Sequence, residues 1–218
     1  MKKRIIAPVI CLCCCLILIS AAMAESGQAL AGLPVLSTSA GQSTGTVILH
    51  AIADKIGLKY DYCDVPTAEQ YKEGVGLKGF QVGEGHHLTL GSGEAEGTPY
   101  KTIIFNIGAS LKGMGASGLS IDSEVERVLS VIDEAKKQGA TVIALHIEGK
   151  SRRGKAGSDN ERLIDAVMPQ ADYIISTKDG NFDSRFDKIV EKTGAKLFVI
   201  EKSADLSQVL SELFGTAK

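Results

Sequence analysis

The run Thr102-Ile103-Ile104-Phe105-Asn106-Ile107 decides how this 218-residue chain folds, because of the segments next to it. A glycine-rich segment, Gly108–Ser120, leads to a predicted helix over Asp122–Gln138, opened near a Ser123-Glu124-Val125-Glu126 capping box. The helix stops at Gly139, and two residues later comes another apolar run, Thr141-Val142-Ile143-Ala144-Leu145-His146-Ile147. Both runs are apolar at consecutive rather than alternate positions, which suits strands covered by helices on both faces of a parallel sheet.

Working outward, strand and helix keep alternating. The predicted pairs are Pro34–Thr38 with Thr44–Ile56, and Lys59–Cys63 with Thr67–Glu73. After the central pair come Asn160–Met168, Tyr173–Thr177 with Asp183–Lys192, and Leu197–Ile200 with Ser203–Phe214. The first helix carries apolar residues at Val47, Ile48, Ala51, Ile52 and Ile56. The expected class is α/β: a three-layer, doubly wound, mostly parallel sheet of five to six strands, flavodoxin-like or Rossmann-like, in the order 2-1-3-4-5 with a sixth strand at the edge. Gly74–Thr98 interrupts the rhythm and reads as a small β-hairpin or flap, with Phe80-Gln81-Val82 and His87-Leu88-Thr89-Leu90 as its β-capable runs. His86 and His87, being adjacent on a strand, point to opposite faces and do not chelate one ion easily, so no metal is expected there despite Glu84, Glu94 and Glu96.

The N-terminus is set apart. Met1-Lys2-Lys3-Arg4 is basic, Ile5 to about Ser20 is apolar, and Ala22-Met23-Ala24 is a small-x-small cleavage site before Glu25, as in a secretory signal peptide. The residues ahead of Cys11, Cys13, Cys14 and Cys15 do not suit lipidation. The expectation is residues 1–24 as leader and 25–218 as one α/β domain, periplasmic or secreted, with no membrane attachment after cleavage. Loss of Lys2, Lys3 and Arg4 leaves 21 basic against 26 acidic residues, a formal charge of −5, which argues against nucleic acid as a partner. Only Cys63 remains, so no internal disulfide can form.

The helix-to-strand joints are short, whereas the strand-to-helix loops are long and polar: Ser37–Thr46, Gly108–Ser120, Ile147–Asn160 and Ser176–Asp183. Parallel sheets bind ligands at the carboxyl ends of their strands, so the elaborated edge locates a site. Ser39, Gln42 and Ser43 precede a helix N-terminus, where the dipole favours an anion. Ser110 and Lys112 sit in a loop that contains a literal GxGxxG, Gly113 to Gly118, five residues too far from its strand for the dinucleotide fingerprint. Arg152 and Arg153, flanked by glycines, suit a carboxylate, phosphate or sulfate. His146 and Asp179 are the candidates for catalysis, while His50, inside the first helix, reads as structural or surface. Neither a P-loop nor the aromatic pair of a flavin site is present, and no cofactor is expected.

Val35 through Ser43, the Gly108–Gly118 loop, His146 with Arg152-Arg153-Gly154, and Ala171-Asp172-Tyr173 through Asp179-Gly180-Asn181 together resemble domain of unknown function 6305, a bacterial secreted family. The resemblance implies a secreted α/β protein and carries no activity. Two functions are expected from the residues: an extracytoplasmic binding protein for a small anionic molecule, or a hydrolase or transferase on an anionic substrate with His146 as general acid or base.

Overall fold

The structure is a computed structural model that describes residues 29–77, 80, 82–83, 86–90 and 99–216. The leader 1–24 and its cleavage site lie outside the described residues, as do Glu84, Glu94 and Glu96. The strands are β1 (Val35–Ala40), β2 (Asp61–Cys63), β3 (Leu88–Thr89), β4 (Thr102–Ile107), β5 (Thr141–His146), β6 (Tyr173–Thr177) and β7 (Lys196–Ile200). They form one sheet in the order β3-β2-β1-β4-β5-β6-β7, parallel throughout except for β3 against β2. The winding reverses between β1 and β4, which pair from Val35↔Thr102 to Ala40↔Ile107.

Alternate strand residues feed two cores, as the period of a β-strand requires. Ile104, Ile143 and Leu145 pack towards α1 (Gly45–Ile56) and α7 (Leu206–Phe214). Ile103, Phe105, Val142 and Ala144 pack towards α2 (Ala68–Glu73), α4 (Ile121–Lys137), α5 (Asp159–Val167) and α6 (Arg185–Thr193). Among the described residues, no helix is long and apolar enough to cross a membrane.

Three local features differ from the expectations. Part of the glycine-rich segment after β4 is itself helical, α3 (Leu111–Ala116), because the Ser110 side chain accepts the Gly113 N–H and caps it. The capping box of α4 lies at Ser120 and Ser123, so Ser123 closes the box rather than opening it, and Glu126 has no part in it. The apolar face of α1 is rotated: Leu49 and Ala53 are buried, whereas Val47, Ile48 and Ala51 are exposed. Leu49 and Ala53, spaced i, i+4, point down onto the sheet, which leaves Val47 on the outside. In the insertion, Leu88–Thr89 supplies the edge strand, and its pairing among the described residues is with β2.

The loop after β1 is held from below by α4. Glu124 is fully buried; it binds Arg127 through both oxygens, at 2.7 and 2.8 Å, and accepts the Gly41 N–H at 2.7 Å. Arg127 also donates to the carbonyls of Ser39 at 2.7 Å and Pro66 at 3.2 Å. Removing one partner of such a pair strands the other charge away from water, at a cost of about 3–5 kcal/mol. Glu124→Ala is therefore expected to lower the unfolding free energy by about that amount in urea titration, and a loss under about 1 kcal/mol would mean that Arg127 finds solvent instead.

Candidate functional site

The loops after β1, β4 and β5 meet where the winding reverses. Gly41 has φ +92°, and a Cβ there would lie 2.4 Å from Leu163 Cδ1 and 2.8 Å from the Gly108 carbonyl oxygen, so only glycine fits. Its own carbonyl accepts the Ser110 N–H at 2.7 Å, which joins the β1 loop to the β4 loop. Ser43 and Ser110 thus border one crevice, as the strand order requires. Gln42, also left-handed at φ +60°, turns its amide back onto the Ser39 hydroxyl at 3.3 Å.

A residue not singled out in the sequence lies at the centre of this crevice. Glu148 comes just after β5 and reaches the N-terminus of α1, where the Ser43 hydroxyl donates to one of its oxygens at 2.5 Å and the Thr44 hydroxyl donates to the other. Arg152 donates to the same carboxylate at 3.2 Å and to the Ala109 carbonyl at 2.8 Å, bridging the β4 and β5 loops. A Cβ at Gly108 would lie 2.7 Å from the carboxylate. Burial pushes the Glu148 pKa up, but the Ser43 and Thr44 hydroxyls and the Arg152 charge together outweigh it and hold it below the usual carboxylate value. Beneath lies Asn106 at the end of β4, fully buried, with its Oδ1 3.4 Å from the Ser43 hydroxyl and its amide nitrogen without a hydrogen bond. The anion at this helix N-terminus is the chain's own.

The remaining sequence candidates have separate places. Ser39 is buried and donates to the Asp64 carbonyl; Ser110 caps α3; Lys112 is exposed on α3. Arg153 does not project from the loop as an exposed charge. Its side chain is 3% exposed, paired with buried Glu161 at 2.7 Å and with Asp183 at 2.9 Å, and lies over the rings of Phe182 and Phe186. The two adjacent arginines therefore do not form a common clamp: one serves the crevice and the other ties the β5 and β6 loops together. His146 is fully buried on the α6 side, its Nε2 against the Arg152 carbonyl at 3.2 Å and its ring 5.5 Å from that of Phe186. Burial lowers its pKa, so it is held neutral. His50 bonds the Ser37 hydroxyl and stacks on Tyr60, and burial lowers its pKa to about 4. Cys63 is buried, with its thiol pushed up to about 12, which leaves it unreactive.

Asp179 is exposed and accepts the Lys150 N–H at 3.2 Å, where a 3-10 turn over Gly149–Arg152 begins. It lines a cavity of about 280 Å³ with Glu148, Thr177, Glu201, Lys202 and Ser203, on the far side of Glu148 from the α1 N-terminus. The described residues contain no cluster of three or more His, Cys, Asp or Glu side chains suited to a metal ion.

Residues 32–214 match the family model described as Domain of unknown function (DUF6305), and the chain belongs to that family. No curated protein and no solved structure matches it.

The unequal burial of the two arginines is measurable. Arg153→Ala is expected to cost about 3–5 kcal/mol of stability because Glu161 stays buried without its closest cation. Arg152→Ala, at a quarter-exposed site, should cost about 1 kcal/mol or less in the same urea titration. Equal losses would contradict this division of labour between the two side chains.

The buried histidines set a pH window. Both folded-state pKa values lie below the unfolded value of 6.5, so below pH 6.5 the unfolded chain binds more protons. Their contribution is complete above pH 6.5 and is lost as pH falls, for His50 down to about 4. The urea midpoint should hold steady from pH 8 to 7 and fall between 6.5 and 4, with a shallower fall in His50→Gln. A midpoint independent of pH across that window would show the histidines to be solvated.

Proposed function

We propose that this family member is an extracytoplasmic binding protein for a small anionic ligand, whose charged group takes the place now held by the Glu148 carboxylate. The observation that carries the reading is the setting of that carboxylate. Two hydroxyls, an arginine and the positive end of a twelve-residue helix surround it, and all of them favour negative charge. A donor set that holds a carboxylate from its own chain also suits a carboxylate or phosphate from solution. Glu148 is tethered next to Gly149, at φ +72°, so a local backbone change can move it aside. Export rests on the leader-like residues 1–24.

An enzymatic role has less support. His146 is buried on the α6 side and held neutral, and its described hydrogen bond runs to the Arg152 carbonyl. Nothing in its surroundings brings it to the crevice mouth.

An internal competitor makes the proposal testable. Glu148→Gln removes the competing charge, so acetate and inorganic phosphate should bind about tenfold more tightly than to the wild type, as read by calorimetry or NMR titration. Arg152→Ala should weaken both by tenfold or more, because a charge-assisted hydrogen bond is worth about 1.5–3 kcal/mol. If Glu148→Gln binds neither anion better than the wild type, the crevice is a structural ion pair and the proposal fails.

A further inference from the structure

Val47 and Leu111 are 70% and 73% exposed, the two highest values for large hydrophobic side chains among the described residues. Neither position is an accident of a long loop. Val47 lies in the first turn of α1, three residues after Thr44, and Leu111 opens α3, two residues after Ala109. Thr44 and Ala109 are the two residues that Arg152 joins across the crevice: its Nη2 lies 3.5 Å from the Thr44 hydroxyl and its Nη1 donates to the Ala109 carbonyl. The most exposed aliphatic side chains thus stand on the two helix starts that flank the Arg152 guanidinium.

Scattered single apolar residues on a surface need no explanation. Here the coincidence is positional, since both belong to the walls of one polar cradle on the edge of the sheet where ligands bind. The helical pattern of α1 places Val47 among its apolar residues, yet the helix buries Leu49 and Ala53 instead and leaves Val47 in water. The alternative direction for a ligand body is charged: the cavity beyond Glu148 is lined by Asp179, Glu201 and Lys202. An apolar group gains nothing by entering it.

We infer that the anion bound at the Glu148 position carries an apolar body of several carbons, which lies over Val47 and Leu111, so that the ligand class is a short-chain or similarly apolar carboxylate. This rests on the anion-binding reading of the crevice. The carboxylate group accepts hydrogen bonds from Ser43, Thr44 and Arg152, and the hydrocarbon covers the two aliphatic side chains.

The test is a series of straight-chain carboxylates, acetate, butyrate, hexanoate and octanoate, titrated by NMR into the purified protein below their aggregation concentrations. Affinity should rise about two- to fourfold per methylene until the rim is covered, the upper figure corresponding to complete burial of each CH₂. Val47→Thr combined with Leu111→Gln, at exposed positions where folding is not at stake, should flatten the series to under about 1.5-fold per methylene with an unchanged thermal midpoint. Affinities independent of chain length in the wild type, or a slope that survives the double substitution, would overturn the apolar rim. Binding of acetate that improves in Glu148→Gln but shows no chain-length dependence would sink this inference alone. Absence of any carboxylate binding, in wild type and in Glu148→Gln, would sink both.

Discussion

The buried pair of Glu124 and Arg127 is the contact on which the crevice depends. A carboxylate without solvent is tolerable only when opposite charge and hydrogen-bond donors surround it, and Glu124 gains both from the guanidinium and the Gly41 N–H. In return α4, packed against the opposite face of the sheet from α1, fixes the point at which the chain leaves β1. Gly41 then turns left-handed, its carbonyl captures the β4 loop, and Ser43 and Thr44 are delivered to the start of α1. A pair of charges inside the molecule thereby sets the geometry of polar groups at its surface.

The same balance governs the charged loop after β5, where neighbouring arginines meet different fates. The Arg153 guanidinium lies between aromatic rings and against a buried carboxylate, so its charge is satisfied within the fold. The Arg152 guanidinium remains a quarter exposed, and its carboxylate partner is tethered to the loop rather than to a helix interior. An ion pair of this kind contributes modestly to stability and can be exchanged for an external anion at small net cost. Stability and exchangeability are thus divided between two residues one position apart.

Apolar exposure obeys a related logic. Val47 and Leu111 escape burial because each occupies the first turn of a helix at the open edge of the sheet, beyond the reach of the layer above or below. The protein keeps two large apolar groups in water beside a donor-rich crevice, and contact with a partly apolar ligand would offset that cost.

Much of this was written in the sequence. The doubly covered runs Ile103–Phe105 and Val142–Leu145, with glycine stops on one edge and polar loops on the other, determine the parallel sheet, its order and the edge that carries the crevice. Short-range periodicity is enough for this, because strand and helix patterns are local properties. The partners of the charges were not legible. Nothing local distinguishes Arg152 from Arg153, or marks Glu148 as the anion at a helix 104 residues earlier in the chain. Nor did the apolar pattern of α1 reveal which of Val47 and Leu49 faces the sheet. Those outcomes turn on which groups the tertiary fold brings within hydrogen-bond distance and which it removes from water, and they are decided only when the strands are laid side by side.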